Sequence, residues 1–315
     1  MKIALDAMGG DFAPDAIVAG AKLVLPKLSP GFSLVLVGDQ SVIKAKLAEN
    51  GISESDVEIV HASSVIDMGE HPAKAFATKQ DSSIAVGFGL LAKGYAQGFC
   101  SAGNTGAMMV GAMLTIKAIP GIIRPAIAGY VPKADGREGT LLDVGANADC
   151  KPEMLAQFAE IGSLYAKLVM KIDNPKVGLM NLGHEEQKGN LLTLAAYQLI
   201  ASNPKVNFAG NIEGRDIFNE KADVIICDGF TGNVVTKMAE HLYEILHSRG
   251  VNDSFMNKMN YETVGGSPII GVNGNVVIGH GVSSPLAIEN LVLQTERMIK
   301  SNLHEELTEA FKVYI

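Results

Sequence analysis

The sequence predicts an α/β protein: a three-layer α/β/α arrangement around a mostly parallel, mixed sheet. Three observations predict it. Short apolar runs alternate with segments of helical period, the pattern of βαβ units with helices on both faces of a sheet. Five of these runs stop at glycine-rich polar turns, residues 6–11, 101–106, 143–147, 181–190 and 228–233, and helix-like sequence follows each. Two further segments read as hairpins, which brings antiparallel strands into the sheet.

Strands are expected at 2–7, 33–37, 57–60, 98–101, 141–144, 176–181, 206–210 and 223–227. Apolar residues at helical spacing place helices at 14–28, 41–50, 82–93, 105–116, 152–170, 191–201 and 234–247. The first hairpin joins 126–133 to 140–143 through Ala134-Asp135-Gly136-Arg137. The second joins 268–272 to 276–279 through Asn273-Gly274, the strongest short turn signal in the chain.

With 315 residues the chain can bury a large core, as a single α/β domain over 1–315 or as two closely joined lobes. A content of 47% hydrophobic and 19% charged residues is that of a globular protein. There is no Trp, aromatics are 6%, and the net charge is −8, so nucleic acid is not an expected partner. Cys100, Cys150 and Cys227 have neither disulfide-framework nor metal-site spacing, and Cys100 and Cys227, which close apolar runs, are expected to be buried reduced thiols. The opening residues read as a strand and no stretch is apolar enough to span a bilayer, so a cytoplasmic protein is expected.

If the runs are neighbouring parallel strands, the five turns collect along one sheet edge. Small residues there let backbone N–H groups and helix N-termini approach an anion. The candidate binding residues are Asp6, Gly9, Gly10 and Asp11; Ser101, Gly103, Asn104, Thr105 and Gly106; Asp143 and Asn147; Asn190; and Asp228 and Gly229. In the second turn Ser101, Asn104 and Thr105 offer donors, against the plainer reading of a helix cap. Lys188 could neutralise phosphate or an oxyanion, or be a surface lysine; position alone leaves both open. Asn233 reads as an N-cap or as a donor to a carbonyl oxygen. Asp6, Asp143 and Asp228 each end an apolar run, where they cap a helix, brace a loop or converge on one site.

Other chemistries find no support. There is no nucleophile elbow and no Walker A loop, and the glycines from Gly87 lie in helical sequence instead of after a strand. His184-Glu185 opens like a zinc motif, but Lys188 stands where the second His must be. His280 reads as structural. Met108, Met109, Met113 and Leu114 read as a core stripe, with a surface for a flexible acyl chain as the second reading.

Met1-Lys2-Ile3-Ala4-Leu5-Asp6-Ala7-Met8-Gly9-Gly10-Asp11 resembles the start of the PlsX-type phosphate acyltransferases of bacterial phospholipid synthesis. The resemblance continues through 101–107, 142–147 to 150–153, 186–190, Gly210-Asn211-Ile212-Glu213-Gly214-Arg215-Asp216-Ile217-Phe218, 227–233 and 265–268, in order. It implies that acyl-[acyl carrier protein] and inorganic phosphate give acyl phosphate and free carrier. It further implies a homodimer with an isocitrate/isopropylmalate dehydrogenase-like fold, shared with phosphotransacetylases. The product would pass to a membrane glycerol-3-phosphate acyltransferase, so a position peripheral to the membrane is implied. Lys188 and Asn233 match a lysine and an asparagine essential to catalysis in that family.

In the expected mechanism the 101–106 turn, with Gly9-Gly10, holds phosphate near the thioester carbonyl. Lys188 and Asn233 stabilise the oxyanion, and Asp143 and Asp228 orient them. Phosphate is itself the nucleophile, and neither metal nor organic cofactor is expected. Segment 248–264 is shorter and more polar than its counterpart in such proteins. Phe255, Met256 and Met259 are too small an apolar remnant for firm membrane anchoring. Competing readings are an acyltransferase using acyl-CoA, a metal- and NAD-dependent decarboxylating dehydrogenase on the same fold, and a non-catalytic scaffold. An acidic carrier protein would need a basic dock, for which Arg124, Lys133, Arg137 and Lys167 are candidates.

Overall fold

The computed structural model describes residues 1–314 and divides into two compact units. The first comprises Met1–Ala118 and Tyr261–Lys300; the second comprises Ile119–Asn260 and the segment from Ser301 onward. Along the chain the first unit contributes β1 (Lys2–Asp6), α1 (Asp15–Val24), β2 (Ser33–Gly38), α2 (Gln40–Asn50), β3 (Glu58–His61), α3 (Pro72–Thr78), α4 (Ser83–Ala92), β4 (Gly98–Ser101) and α5 (Thr105–Gly111). The second contributes β5 (Ala126–Pro132), β6 (Glu138–Leu142), α6 (Pro152–Leu168), β7 (Lys176–Met180), α7 (Leu191–Ala201), β8 (Asn207–Ile212), β9 (Val224–Ile226), α8 (Gly229–Ser248) and α9 (Ser254–Asn257). The first unit resumes with α10 (Tyr261–Val264), β10 (Ser267–Ile270), β11 (Asn275–Ile278) and α11 (Pro285–Lys300), and α12 (Leu303–Phe311) belongs to the second.

In the first unit the strands run in the order β3-β2-β1-β4-β11-β10, parallel except for the β10–β11 hairpin. Ile3, Ala4, Leu5 and Asp6 of β1 are wholly buried, as a central parallel strand requires. Phe88 of α4 meets Phe99 of β4 edge-on at 5.0 Å and Phe76 of α3 at 6.4 Å. Each buried ring contributes about 2–3 kcal/mol of hydrophobic stabilisation. In the second unit the order is β5-β6-β9-β7-β8, parallel except for the β5–β6 hairpin. Helix α6 buries Leu155, Phe158, Ala159 and Ile161 there. Each unit is thus an α/β structure on a mostly parallel, mixed sheet, with both hairpins where the turn residues place them.

Several elements differ from the sequence expectation. The run at 14–28 is helical only to Val24, because Pro26 lacks an N–H and tightens the end into a 3₁₀ turn, Leu25–Lys27. The run at 105–116 leaves α-helical geometry at Ala112 for a π segment, Ala112–Ile116, which shifts the phase of its side chains. Met108 is therefore core while Leu114 is 64% exposed, so the expected apolar stripe does not hold together. Helix α8 starts five residues before 234, because Asp228 caps it and Gly229 begins it. Helices α3, α11 and α12 were not expected; α3 and α11 both open on a proline, a helix-start signal. No helix among the described residues is long and apolar enough to cross a membrane.

Candidate active site

In the first unit β1 and β4 are neighbours with Leu5 opposite Cys100, so Asp6 and Ser101 leave the sheet side by side. The Ser101 hydroxyl donates to Asp6 Oδ2 at 2.7 Å and accepts the Gly103 N–H at 2.9 Å. Asp6 Oδ1 accepts the Met8 N–H at 3.0 Å. Burial pushes the Asp6 carboxyl above its ordinary range, against the pull of these bonds. A β-carbon on Gly9 would lie 2.4 Å from Asp6 Oδ2 and 2.8 Å from Ser101 Oγ, so only glycine fits against this pair. The Asp11 N–H bonds the Gly281 carbonyl at 2.7 Å, tying the first turn to the loop after β11.

Asn104 is the N-cap of α5: its Oδ1 accepts the Ala107 N–H at 2.9 Å. Its Nδ2 faces the carbonyls of Asp67, Met68 and Glu70, each at 3.1 Å. The expectation that Ser101 and Asn104 offer side-chain donors to a ligand is corrected by this geometry. Both are buried and spend their hydrogens on the protein, so they build the turn. Thr105 remains exposed, beside the half-buried Gly106.

In the second unit β6, β9 and β7 lie side by side and parallel, so the turns after them share one edge. Buried Asp143 accepts the Ile127 and Ala146 N–H groups on Oδ1, and the Asn147 N–H and side-chain amide on Oδ2. Asn147 Nδ2 also reaches the Pro125 carbonyl at 2.8 Å. Burial raises the Asp143 carboxyl, and these bonds oppose it. Asp228 caps α8 through the Thr231 N–H at 2.8 Å and hydroxyl at 3.0 Å. The first turn of α8 rests on the 143–147 turn: a β-carbon on Gly232 would come 1.9 Å from the Asp143 carbonyl oxygen. This packing carries Asn233 out over Gly145, inside the helix and not at its cap.

The loop after β7 carries Lys188. Asn190 caps α7, accepting the Thr193 N–H at 2.9 Å, while the Asn190 N–H donates to Thr193 Oγ1. Asn181 Nδ2 donates to the Lys188 carbonyl and to Asn211 Oδ1, both at 3.0 Å. His184 Nε2 bonds Asp216 Oδ2 at 2.7 Å. Burial of Asp216 is outweighed by the Glu213 N–H, His184, Asn219 and Lys221, which hold its carboxyl well below the usual range.

Beside these engaged groups stand exposed side chains with no hydrogen-bond or ion-pair partner among the described residues, the Glu185 carboxylate and the Gln187 amide together with the two donors expected from the sequence. Lys188 and Asn233 are exposed, and neither the Lys188 Nζ nor the Asn233 amide has a hydrogen-bond or ion-pair partner among the described residues. Asn181, Asn211 and Asp216 were not among the expected site residues. Their signal was present in the sequence, because Asn181 opens the Lys188 turn and the others lie in the 210–218 motif.

The strand-end aspartates are spent on protein donors: Asp228 on its own turn, Asp6 on its turn and Ser101, and Asp143 on its turn and the Ile127 N–H, which are the bracing and capping roles. Among the described residues no group of three or more His, Cys, Asp or Glu is placed to hold a metal ion. The proposed basic dock loses two members. Lys133 is fully buried with its Nζ on the Ile217 carbonyl at 2.7 Å, and Arg137 is paired with Asp135 and Asp223. Cys100 and Cys227 are buried thiols; burial pushes Cys100 up to about 12 and Cys227 up as well. His280 packs its ring on Tyr261 at 5.0 Å. At the short tip Phe255 is turned edge-on against Phe218 at 5.8 Å, which takes up part of the apolar remnant.

A family model described as "Fatty acid synthesis protein" matches residues 1–249. The chain is 43% identical over 328 aligned positions to the phosphate acyltransferase of Dictyoglomus turgidum, covering 98% of this chain and 97% of that one. It is 43% identical over 333 positions to that of Desulforamulus reducens, covering 99% and 96%. Among solved structures, a phosphotransacetylase from Streptococcus pyogenes superposes with a TM-score of 0.70 at 18% identity, over 95% of this chain and 94% of that one. A branched-chain phosphotransacylase from Enterococcus faecalis reaches 0.64 at 15% identity, over 96% and 100%. At such identities the structural likeness speaks to the fold alone. On its full-length relatives and the family model, the chain belongs to the phosphate acyltransferase family and is an acyltransferase.

Proposed function

We propose that the protein transfers a fatty acyl group from acyl-[acyl carrier protein] to inorganic phosphate, yielding acyl phosphate for phospholipid synthesis. One observation carries the reading: at an edge where Asp143, Asn147, Asn181, Asn190 and Asp228 are all engaged, Lys188 Nζ and the Asn233 amide are left unspent. They follow adjacent parallel strands, β7 and β9. Unpartnered donors are what a reaction developing negative charge requires.

In this reading a phosphate oxygen attacks the thioester carbonyl, a C–O bond forms, and the carbonyl oxygen takes the charge. The Lys188 ammonium and the Asn233 amide stabilise that oxyanion. Its collapse breaks the C–S bond, and the thiolate leaves with the carrier and is protonated from water. No side-chain nucleophile is used, and positioning of the reactants supplies much of the rate. In the first unit, the Thr105 hydroxyl and the backbone around Thr105 and Gly106 are the part of the 101–106 turn that we assign to anion binding. The finer likeness to isocitrate/isopropylmalate dehydrogenase folds belongs to the same reading, as does a cytoplasmic protein working beside the membrane. Its acyl phosphate would supply a membrane glycerol-3-phosphate acyltransferase.

We assign the homodimer contact to α8, whose Phe230, Val234, Met238, Leu242 and Ile245 form an exposed apolar stripe at helical spacing. The second reading is acyl-CoA as donor, favoured by the burial of Lys133 and the pairing of Arg137, which thin out the basic dock for an acidic carrier. The deciding experiment incubates the protein with phosphate and either palmitoyl-carrier protein or palmitoyl-CoA and traps acyl phosphate with hydroxylamine. Product from the carrier donor supports the first reading, product from CoA alone the second, and none from either overturns both.

A further inference from the structure

The loop that carries Lys188 is held by two asparagines that lie outside it or at its very start. Asn211, on β8, is 2% exposed, and its Nδ2 donates to the Glu185 carbonyl at 2.8 Å. Its Oδ1 accepts from Asn181 Nδ2 at 3.0 Å, and the same Nδ2 donates to the Lys188 carbonyl at 3.0 Å. Asn181 Oδ1 accepts the Leu182 N–H at 2.8 Å. The Lys188 N–H closes the circuit on the Glu185 carbonyl at 3.0 Å. Both ends of the turn from Glu185 to Lys188 are thus clamped by one pair of side-chain amides.

The sheet is bent to place this pair. The β7–β8 register shifts by one residue, from Val177 opposite Phe208 to Gly178 opposite Gly210, so that Leu179 lies opposite Asn211. Without that irregularity Asn211 would sit one position further along β7. Gly189 completes the arrangement: at φ +116°, a β-carbon there would come 2.5 Å from Asn181 Oδ1 and 2.0 Å from Thr193 Oγ1. The residues from His184 to Lys188 are all exposed; His184 is held by Asp216 and Glu186 accepts from Gln198 Nε2 through their side chains, while the two amides hold the backbone at Glu185 and Lys188.

We propose that Asn181 and Asn211 are positioning residues that fix the backbone of Lys188 and so hold its ammonium where the oxyanion forms; this rests on the role assigned above to Lys188. A misplaced donor loses rate without losing ground-state binding. The test is a double-mutant cycle on the whole protein, using hydroxylamine trapping with the donor that proves active. Asn181→Asp, which replaces the donating Nδ2 by an oxygen facing the Lys188 carbonyl, is expected to lower kcat at least tenfold with KM for the acyl donor changed less than twofold. Asn181→Ser, which withdraws the amide without adding charge, is expected to show the same split and serves if the aspartate variant does not fold.

In a Lys188→Ala background either change is expected to cost less than twofold further, because the residue it positions is gone. An equal, additive loss in that background, or an unchanged kcat in folded Asn181 variants while Lys188→Ala is inactive, overturns the positioning role alone. Full turnover in Lys188→Ala overturns the reading beneath it.

Discussion

The Asn233 side chain lies over Gly145: a β-carbon on Gly145 would stand 3.2 Å from Asn233 Nδ2, and Gly145 holds φ at +115°. The amide is therefore placed by a bare α-carbon beneath it. Gly145→Ala is expected to cost about 1–3 kcal/mol of stability from the left-handed backbone and to displace the amide, lowering turnover about tenfold. Asn233→Ala is expected to leave the melting temperature near that of the parent and to lower kcat on the order of a hundredfold. Thermal melts and hydroxylamine trapping check both.

Lys188→Ala is expected to lower kcat on the order of a hundredfold or more, through loss of the charge facing the oxyanion. Lys188→Arg is expected to recover little of it. The lysine stem passes close over Gly183, where a β-carbon would meet Lys188 Cγ at 3.2 Å, and a planar guanidinium does not replace a compact ammonium there. Near-parental turnover in folded Lys188→Ala would end the assignment.

Ser101→Ala separates building the turn from binding the anion. Removal of a donor from buried Asp6 is expected to destabilise by about 1–3 kcal/mol, with KM for phosphate changed less than the stability loss implies. Thr105→Val is expected to do the reverse, raising KM for phosphate with little change in urea midpoint. A large rise in phosphate KM for a well-folded Ser101→Ala would show instead that the hydroxyl serves the ligand.

Burial pushes the Lys133 amine down from 10.5 to about 8. Between those two values the unfolded chain binds the proton that the folded chain has released, so stability rises as pH is raised through that window. Below about 8 both states carry the proton and the cost of the buried charge is present in full, on the order of 3 kcal/mol at most. Urea unfolding from pH 7 to pH 10 is expected to show a rise in midpoint that is absent in Lys133→Met. An equal rise in the variant would place its origin elsewhere.

For the proposed dimer, Met238→Glu on the α8 stripe, 65% exposed, is expected to give a monomer in sedimentation velocity with an unchanged far-ultraviolet spectrum. A parental protein that is itself monomeric at micromolar concentration would remove α8 from that role.

The two hairpins, most strands and the turns at the strand ends were legible in the sequence, because apolar alternation and turn chemistry are local properties. The sequence starts α8 at 234 because 228–233, with glycines at 229 and 232, reads as a glycine-rich polar turn. The structure needs them there, since Gly232 sits against the Asp143 carbonyl and no larger residue fits. The cradle at 101–106 was legible as a turn but not as a buried one. Whether Asn104 faces a ligand or three carbonyls of 67–70 depends on a segment more than thirty residues away. Lys133 was counted with the surface cations for the same reason, as nothing in its neighbours along the chain shows that it is enclosed.

The sequence by itself determined the α/β class and, within each unit, the strand ends that carry polar turns, and it put Lys188 and Asn233 forward through a family resemblance. Only the tertiary structure decided which polar groups at those turns are spent on the protein and which are left free. Hydrogen bonds between side chains distant along the chain, such as Asn181 with Asn211 and Ser101 with Asp6, have no local signature. They exist only once neighbouring strands have set their register.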